Sequence, residues 1–115
     1  MKNKPELKID KYGNKRWYLN GKLHRIDGPA IEYPNGYKVW YLNDKLHRID
    51  GPAIELKNGD KYWYLNNEYH RIDGLAIECA NGDKFWYLNG KKVNEEDVIS
   101  YDITEREYLE FIMSL

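Results

Sequence analysis

The stretch KVWYLNDKLHRIDGPAIELKNGD, residues 38–60, is one of three near-copies laid end to end. Before it stands KRWYLNGKLHRIDGPAIEYPNGY, residues 15–37, and after it KYWYLNNEYHRIDGLAIECANGD, residues 61–83. Trp recurs at 17, 40, 63 and 86 with Tyr-Leu-Asn behind it, Gly recurs at 13, 36, 59 and 82, and His-Arg-Ile-Asp-Gly starts at His24, His47 and His70. A fixed period of this size indicates an array, in which each unit buries its apolar face only against its neighbours. The chain holds about three and a half units of 23 residues.

Within a unit the local signals are those of strands. Val39-Trp40-Tyr41-Leu42 and Ala53-Ile54-Glu55-Leu56 are β-branched or aromatic runs bounded by Asn43-Asp44 and Asn58-Gly59. Asn-Gly pairs, which supply the positive φ of tight hairpin turns, stand at 20 and 21, 35 and 36, 58 and 59, 81 and 82, and 89 and 90. Each unit is expected to be a twisted hairpin, or a three-stranded meander if Lys45-Leu46-His47 also pairs. The units would add edge to edge into one elongated antiparallel sheet, a mostly β fold over residues 1–91. Alternation puts Trp40 and Leu42 on one face, Val39 and Tyr41 on the other. With Ile54 placed away from Glu55, the expected core is Trp17, Leu19, Ile31, Trp40, Leu42, Ile54, Trp63, Leu65, Ile77, Trp86 and Leu88. Cys79 shares that face and is expected to be a small buried hydrophobe.

After Gly90 the repeat stops, and residues 92–115 are expected to form a short helical cap. Asn94 followed by Asp97 resembles an N-cap, with Val93 and Val98 spaced as a hydrophobic staple. Thr104 and Glu107 form a capping box, and Tyr108, Leu109, Ile112 and Leu115 fall on one stripe. Such a tail can cover the open edge of the last strand or bind a partner.

The 115 residues fit one compact domain, and 11 Tyr and 4 Trp mean that much of the burial comes from rings. The formal net charge of −1 is uneven: +2 over residues 1–14, +2 over 15–91 and −5 over 92–115. With Cys79 the only cysteine, no intrachain disulfide can form. MKNKPELKID carries no apolar run, and no stretch is long enough to span a bilayer, so the expectation is a cytoplasmic protein.

The 23-residue spacing, the aromatic strand ending in Asn-Gly, the Lys-Leu-His-Arg segment, the Asp-Gly after it and the closing Tyr-Pro-Asn-Gly resemble MORN repeats and their bacterial and viral variants. WYLNGKLHRIDGPAIEYPNG is most similar to the repeat of small proteins of phages and large DNA viruses. The resemblance covers residues 7 to about 91. It implies a scaffolding, membrane-associating or partner-binding role. The sequence departs from it at Leu75, where Pro29 and Pro52 stand in the other copies, at Glu68-Tyr69, and at Ile26, Ile49 and Ile72, where many MORN copies have Gly.

His-Arg-Ile-Asp brings an imidazole, a guanidinium and a carboxylate within four positions. Units two or three strands wide, at about 4.8 Å per strand, set equivalent histidines roughly 10 to 14 Å apart. Metal–ligand bonds of about 2 Å rule out a shared zinc, so neither metal nor cofactor is expected. A catalytic centre is normally assembled once, whereas this triplet occurs three times. The repeated Asp-Gly therefore suggests turn chemistry, with the carboxylate accepting backbone N–H groups and Arg paired to the Asp of its own or the next unit. The candidate binding residues are the row Tyr18, Tyr41, Tyr64 and Tyr87 and the row Arg25, Arg48 and Arg71, because Tyr and Arg are frequent interface anchors.

The expected function is a non-catalytic protein-binding module, of phage type by resemblance, acting as an inhibitor of a host protein such as a defence nuclease. A MORN-type scaffold or membrane-surface element and a small His-Asp enzyme are the alternatives. Nucleic acid is disfavoured by the weak positive charge of the repeats and the acidic tail. That tail also disfavours an anionic membrane, while the C-terminal helix or the open sheet edge offers a route to homo-oligomers.

Overall fold

The structure, a computed structural model, describes residues 3–100. A leading hairpin joins β1 (Glu6–Ile9) to β2 (Lys15–Leu19). The first unit continues with β3 (Lys22–Leu23) and β4 (Ile31–Glu32). The second contributes β5 (Lys38–Val39), β6 (Tyr41–Leu42), β7 (Lys45–Leu46) and β8 (Ile54–Glu55). The third adds β9 (Lys61–Tyr62), β10 (Tyr64–Leu65), β11 (Glu68–Tyr69) and β12 (Ile77–Glu78). The last part supplies β13 (Lys84–Leu88) and β14 (Lys91–Val93). One antiparallel sheet runs β1-β2-β4-β5-β8-β9-β12-β13-β14, with β3 paired to β2. It is the long, open sheet of repeated hairpins expected from the sequence.

The Trp-bearing strand changes partners at its tryptophan. Upstream, Val39 pairs with Ile31 and Ile54 in the main sheet. At Trp40 the N–H donates to Ala53 C=O, while the C=O accepts from His47 N–H. Downstream, Tyr41-Leu42 pairs with Lys45-Leu46, so the third segment of each unit does form a strand. The hairpin turns at Asn43 and Asp44, with φ of 49° and 65°. These are both positive, as a two-residue type I′ turn requires.

Register assigns the faces, because residues opposite one another in a ladder point to the same side. Arg16, Ile31, Val39, Ile54, Tyr62, Ile77 and Phe85 make one row across the sheet. Beside it on the other face run Lys15, Glu32, Lys38, Glu55, Lys61, Glu78 and Lys84, alternating in sign at every step. Ile54 therefore shares a face with Val39, not with Trp40, and the expected union of Ile and Trp rows is corrected. Ile31 and Ile77 are buried as expected, but the Trp and Leu rows are half-buried. Ala30, Ala53 and Ala76, which directly precede the Ile row, are fully buried. The molecule measures 48 × 42 × 18 Å, and a sheet so thin has little depth in which to enclose an indole. Cys79 is half-buried beside the Tyr62 hydroxyl, 3.9 Å from its sulfur.

Beyond β14, residues 95–100 are helical. Asp97 N–H donates to Asn94 Oδ1 at 2.9 Å and Asn94 N–H to Asp97 Oδ2 at 3.3 Å, a reciprocal cap of the expected kind. Val98 is buried. The second capping box and the stripe Tyr108, Leu109, Ile112 and Leu115 lie outside the described residues.

Candidate functional site

Each His-Arg-Ile-Asp-Gly segment builds the same guanidinium clasp. Arg48 lies over the Trp40 ring with its Cζ 3.8 Å from the ring centroid. Its Nε–H donates to Asp50 Oδ1 at 3.1 Å, and Nη1 donates to Pro52 C=O at 3.1 Å and to Glu55 Oε1 at 2.9 Å. Arg25 over Trp17 and Arg71 over Trp63 repeat the arrangement at 3.9 and 3.8 Å. Gly51 closes the other side: a Cβ built there would fall 2.6 Å from Arg48 Cζ, and Gly28 and Gly74 meet Arg25 and Arg71 the same way. The glycine serves close approach, while Asp50 takes the Arg48 Nε–H where turn chemistry had been expected to give it a backbone N–H. The pairing of Arg with the Asp of its own unit is as anticipated.

The histidines join one unit to the next. His24 Nδ1 accepts Asn43 N–H at 3.1 Å, His47 Nδ1 accepts Asn66 N–H at 3.1 Å, and His70 Nδ1 accepts Asn89 N–H at 2.9 Å. Such a bond needs the Nδ1 lone pair and so an imidazole protonated only at Nε2. Beside it, Asp44 Oδ1 accepts Leu23 N–H at 2.6 Å and Asn67 Oδ1 accepts Leu46 N–H at 2.7 Å. These side chains justify non-glycine residues at φ of 65° and 68°.

The tyrosine row lies on the opposite face, as Trp–Tyr alternation dictates. It is largely engaged in its own packing: Tyr69 stacks between Tyr64 and Tyr87, with centroids 4.4 and 5.0 Å away. Lys8 Nζ lies 5.3 Å from the centroid of the Tyr18 ring. Burial, then the neighbouring Tyr33 and Asp44, push the Tyr41 phenol up. Burial and the Cys79 contact push Tyr62 up to about 12, and burial with a hydrogen bond to Tyr69 pushes Tyr64 further up. A phenol held neutral by the fold adds stability that is complete below its unfolded pKa of about 10 and is lost as pH rises through the folded value. We therefore expect unfolding to begin above pH about 10, with Tyr62 and Tyr64 ionising only as the strands part. Phenolate absorbance recorded alongside circular dichroism checks this. Full ionisation of every tyrosine before any loss of strand signal would contradict it.

On the Trp face, Trp40, Leu42, His47, Arg48 and Asp50 meet Arg25 and Ile26 of the preceding unit around a cleft of about 290 Å³. Two of the three candidate arginines thus come together there, while the candidate tyrosines do not. Ile26 and Ile49 border the cleft at 80% and 81% exposure. Trp40 Nε1 is buried without a hydrogen-bond partner among the described residues, a rare condition for a donor. Trp17, Leu19, His24 and Arg25 line a second cleft of about 550 Å³ with residues 3–5. Sequence reasoning missed the isoleucines, although Ile in the midst of the charged segment His-Arg-Ile-Asp was the available signal.

Among the described residues, no group of three His, Cys, Asp or Glu is placed to hold a metal ion, and no helix is long and apolar enough to cross a membrane. No protein-family model, no curated protein and no solved structure matches the chain.

Proposed function

We propose that the chain is a non-catalytic protein-binding module whose acceptor surface is the Trp face between adjacent units. The observation that carries this reading is the pair Ile26 and Ile49, about four-fifths exposed and lining one cleft together with Trp40 and Leu42. Exposed apolar side chains are ordinary when scattered, but grouped around a cleft they mark interaction sites. The occupant that fits is an apolar side chain of a partner protein, with Arg25 and Arg48 at the cleft margin orienting polar groups beside it. The histidines favour binding over chemistry, since each spends its Nδ1 on the next unit. A host protein as partner, and inhibition as outcome, remain the finer proposal from the resemblance to phage repeats.

One comparison tests the reading. Ile26→Asp together with Ile49→Asp should abolish capture of a host-lysate protein that the unaltered chain retains, with an unchanged melting temperature. His47→Ala should lower the melting temperature, by about 1 kcal/mol of stability for the lost hydrogen bond. If the double isoleucine variant captures the same protein equally well, the Trp face is not the acceptor. A turnover lost in His47→Ala at unchanged melting temperature would favour an enzyme instead.

A further inference from the structure

The strand β1 ends the sheet, and its four residues are all exposed. Leu7 and Ile9 are 46% and 59% exposed. The orientation of its backbone follows from the strand beside it. Leu7 stands opposite Trp17, whose N–H donates to Ala30 C=O and whose C=O accepts from His24 N–H, both on the far side of β2. Residues opposed in an antiparallel ladder exchange both hydrogen bonds or neither. Leu7 therefore exchanges none with Trp17, and its N–H and C=O point outward from the sheet, as do those of Ile9 two residues on. Glu6 and Lys8, opposite Tyr18 and Arg16, turn their backbone groups inward to β2.

We propose that this edge pairs with the same edge of a second copy, antiparallel and centred on Leu7, joining two sheets into one. That register sets Leu7 against Leu7 of the second copy, Glu6 against its Lys8, Lys8 against its Glu6, and Pro5 against its Ile9. The two outward Leu7 groups exchange both hydrogen bonds. In this register Ile9 meets Pro5 of the second copy, and proline, which has no N–H, is tolerated at such an edge. Opposite charges face each other twice, and a leucine pair lies on the Trp face between them. Centring on Glu6 or Lys8 would oppose like charges. A register further along fails, because the chain turns at Asp10, whose carboxylate accepts the Tyr12 and Asn14 N–H groups. The contact is short, well below the standard interface of about 1,600 Å², so the dimer forms in the micromolar to millimolar range. The proposal does not depend on the Trp-face reading.

Sedimentation analysis over a concentration series tests it. The unaltered chain should pass from monomer to dimer as concentration rises. Leu7→Pro removes an outward N–H while leaving the inward bonds of Glu6 and Lys8, so it should stay monomeric with an unchanged melting temperature. Lys8→Glu should weaken association about tenfold, equivalent to about 1.4 kcal/mol, and adding Glu6→Lys should restore it. The charge pair keeps the test decisive even if Leu7→Pro disturbs β1. A chain monomeric at every concentration, association that survives Leu7→Pro, or a reversed charge pair that fails to restore binding would each overturn the proposal.

Discussion

Gly51→Ala is expected to destabilise the fold by about 2 kcal/mol, and by less than about 0.5 kcal/mol once Arg48 has been replaced by alanine. The new methyl would lie 2.6 Å from Arg48 Cζ, so the guanidinium must move. A free arginine would swing aside at little expense. Arg48 is held by Trp40 on one side, by Asp50 and Glu55, and by the Pro52 carbonyl, and it can move only by releasing some of these. A cation over an indole contributes about 0.5–2 kcal/mol and a hydrogen bond to a charged group about 1.5–3 kcal/mol, reduced here because Asp50 is largely exposed. Partial loss of such a set gives the estimate. Urea unfolding of the two single variants and the double variant measures it. Additive effects would mean that the glycine serves some need other than the clasp.

Trp63→Ala should have the larger effect, about 3 kcal/mol, the lower end of the range for truncated large aromatics because the ring is only half-buried. Its indole carries Arg71 at 3.8 Å and has repeat strands on both sides. Truncation would remove the ring, strand Arg71 and thin the sheet at its middle. Trp40 should behave alike. Trp86 should matter less, because Asn94 stands where a fourth arginine would fall and bonds to Asp97 instead. Trp17 lies near the open end of the array and should also tolerate truncation better. Thermal unfolding of the four alanine variants gives the ranking, and equal losses at Trp17, Trp40 and Trp63 would argue against nearest-neighbour stabilisation.

Much of this fold was legible in the residues. The period, the strands and the positive-φ turns at Asn20-Gly21 and Asn43-Asp44 all stand where self-alignment and turn chemistry put them. The assignment of faces was only half legible. Alternation within Val39-Trp40-Tyr41-Leu42 is a property of one strand, but the match of Ile54 to Val39 is set by the turn from Asn43 through Pro52 and by the switch of partner at Trp40. Polarity then misled, since Glu55 argued for a wet face and Trp40 for a dry one. Arg48 reconciles them by stacking on the ring while reaching the carboxylate. At the candidate site, Arg25 and Arg48 could be picked as anchor types, but their convergence with Ile26 and Ile49 depends on how successive units nest. Composition does not report that.

The joints run one way along the chain, from a histidine to the asparagine that opens the next hairpin. After the fourth Tyr-Leu-Asn, the His-Arg pair gives way to Val93-Asn94. Valine brings no acceptor for a following unit, and the asparagine begins a helix. Two residues therefore mark where the repeat array stops. Adding or removing whole blocks of 23 residues between His24 and Asn89 would leave both ends of the array chemically unchanged. Duplication in such a gene would yield a set of arrays alike at their ends and graded in length.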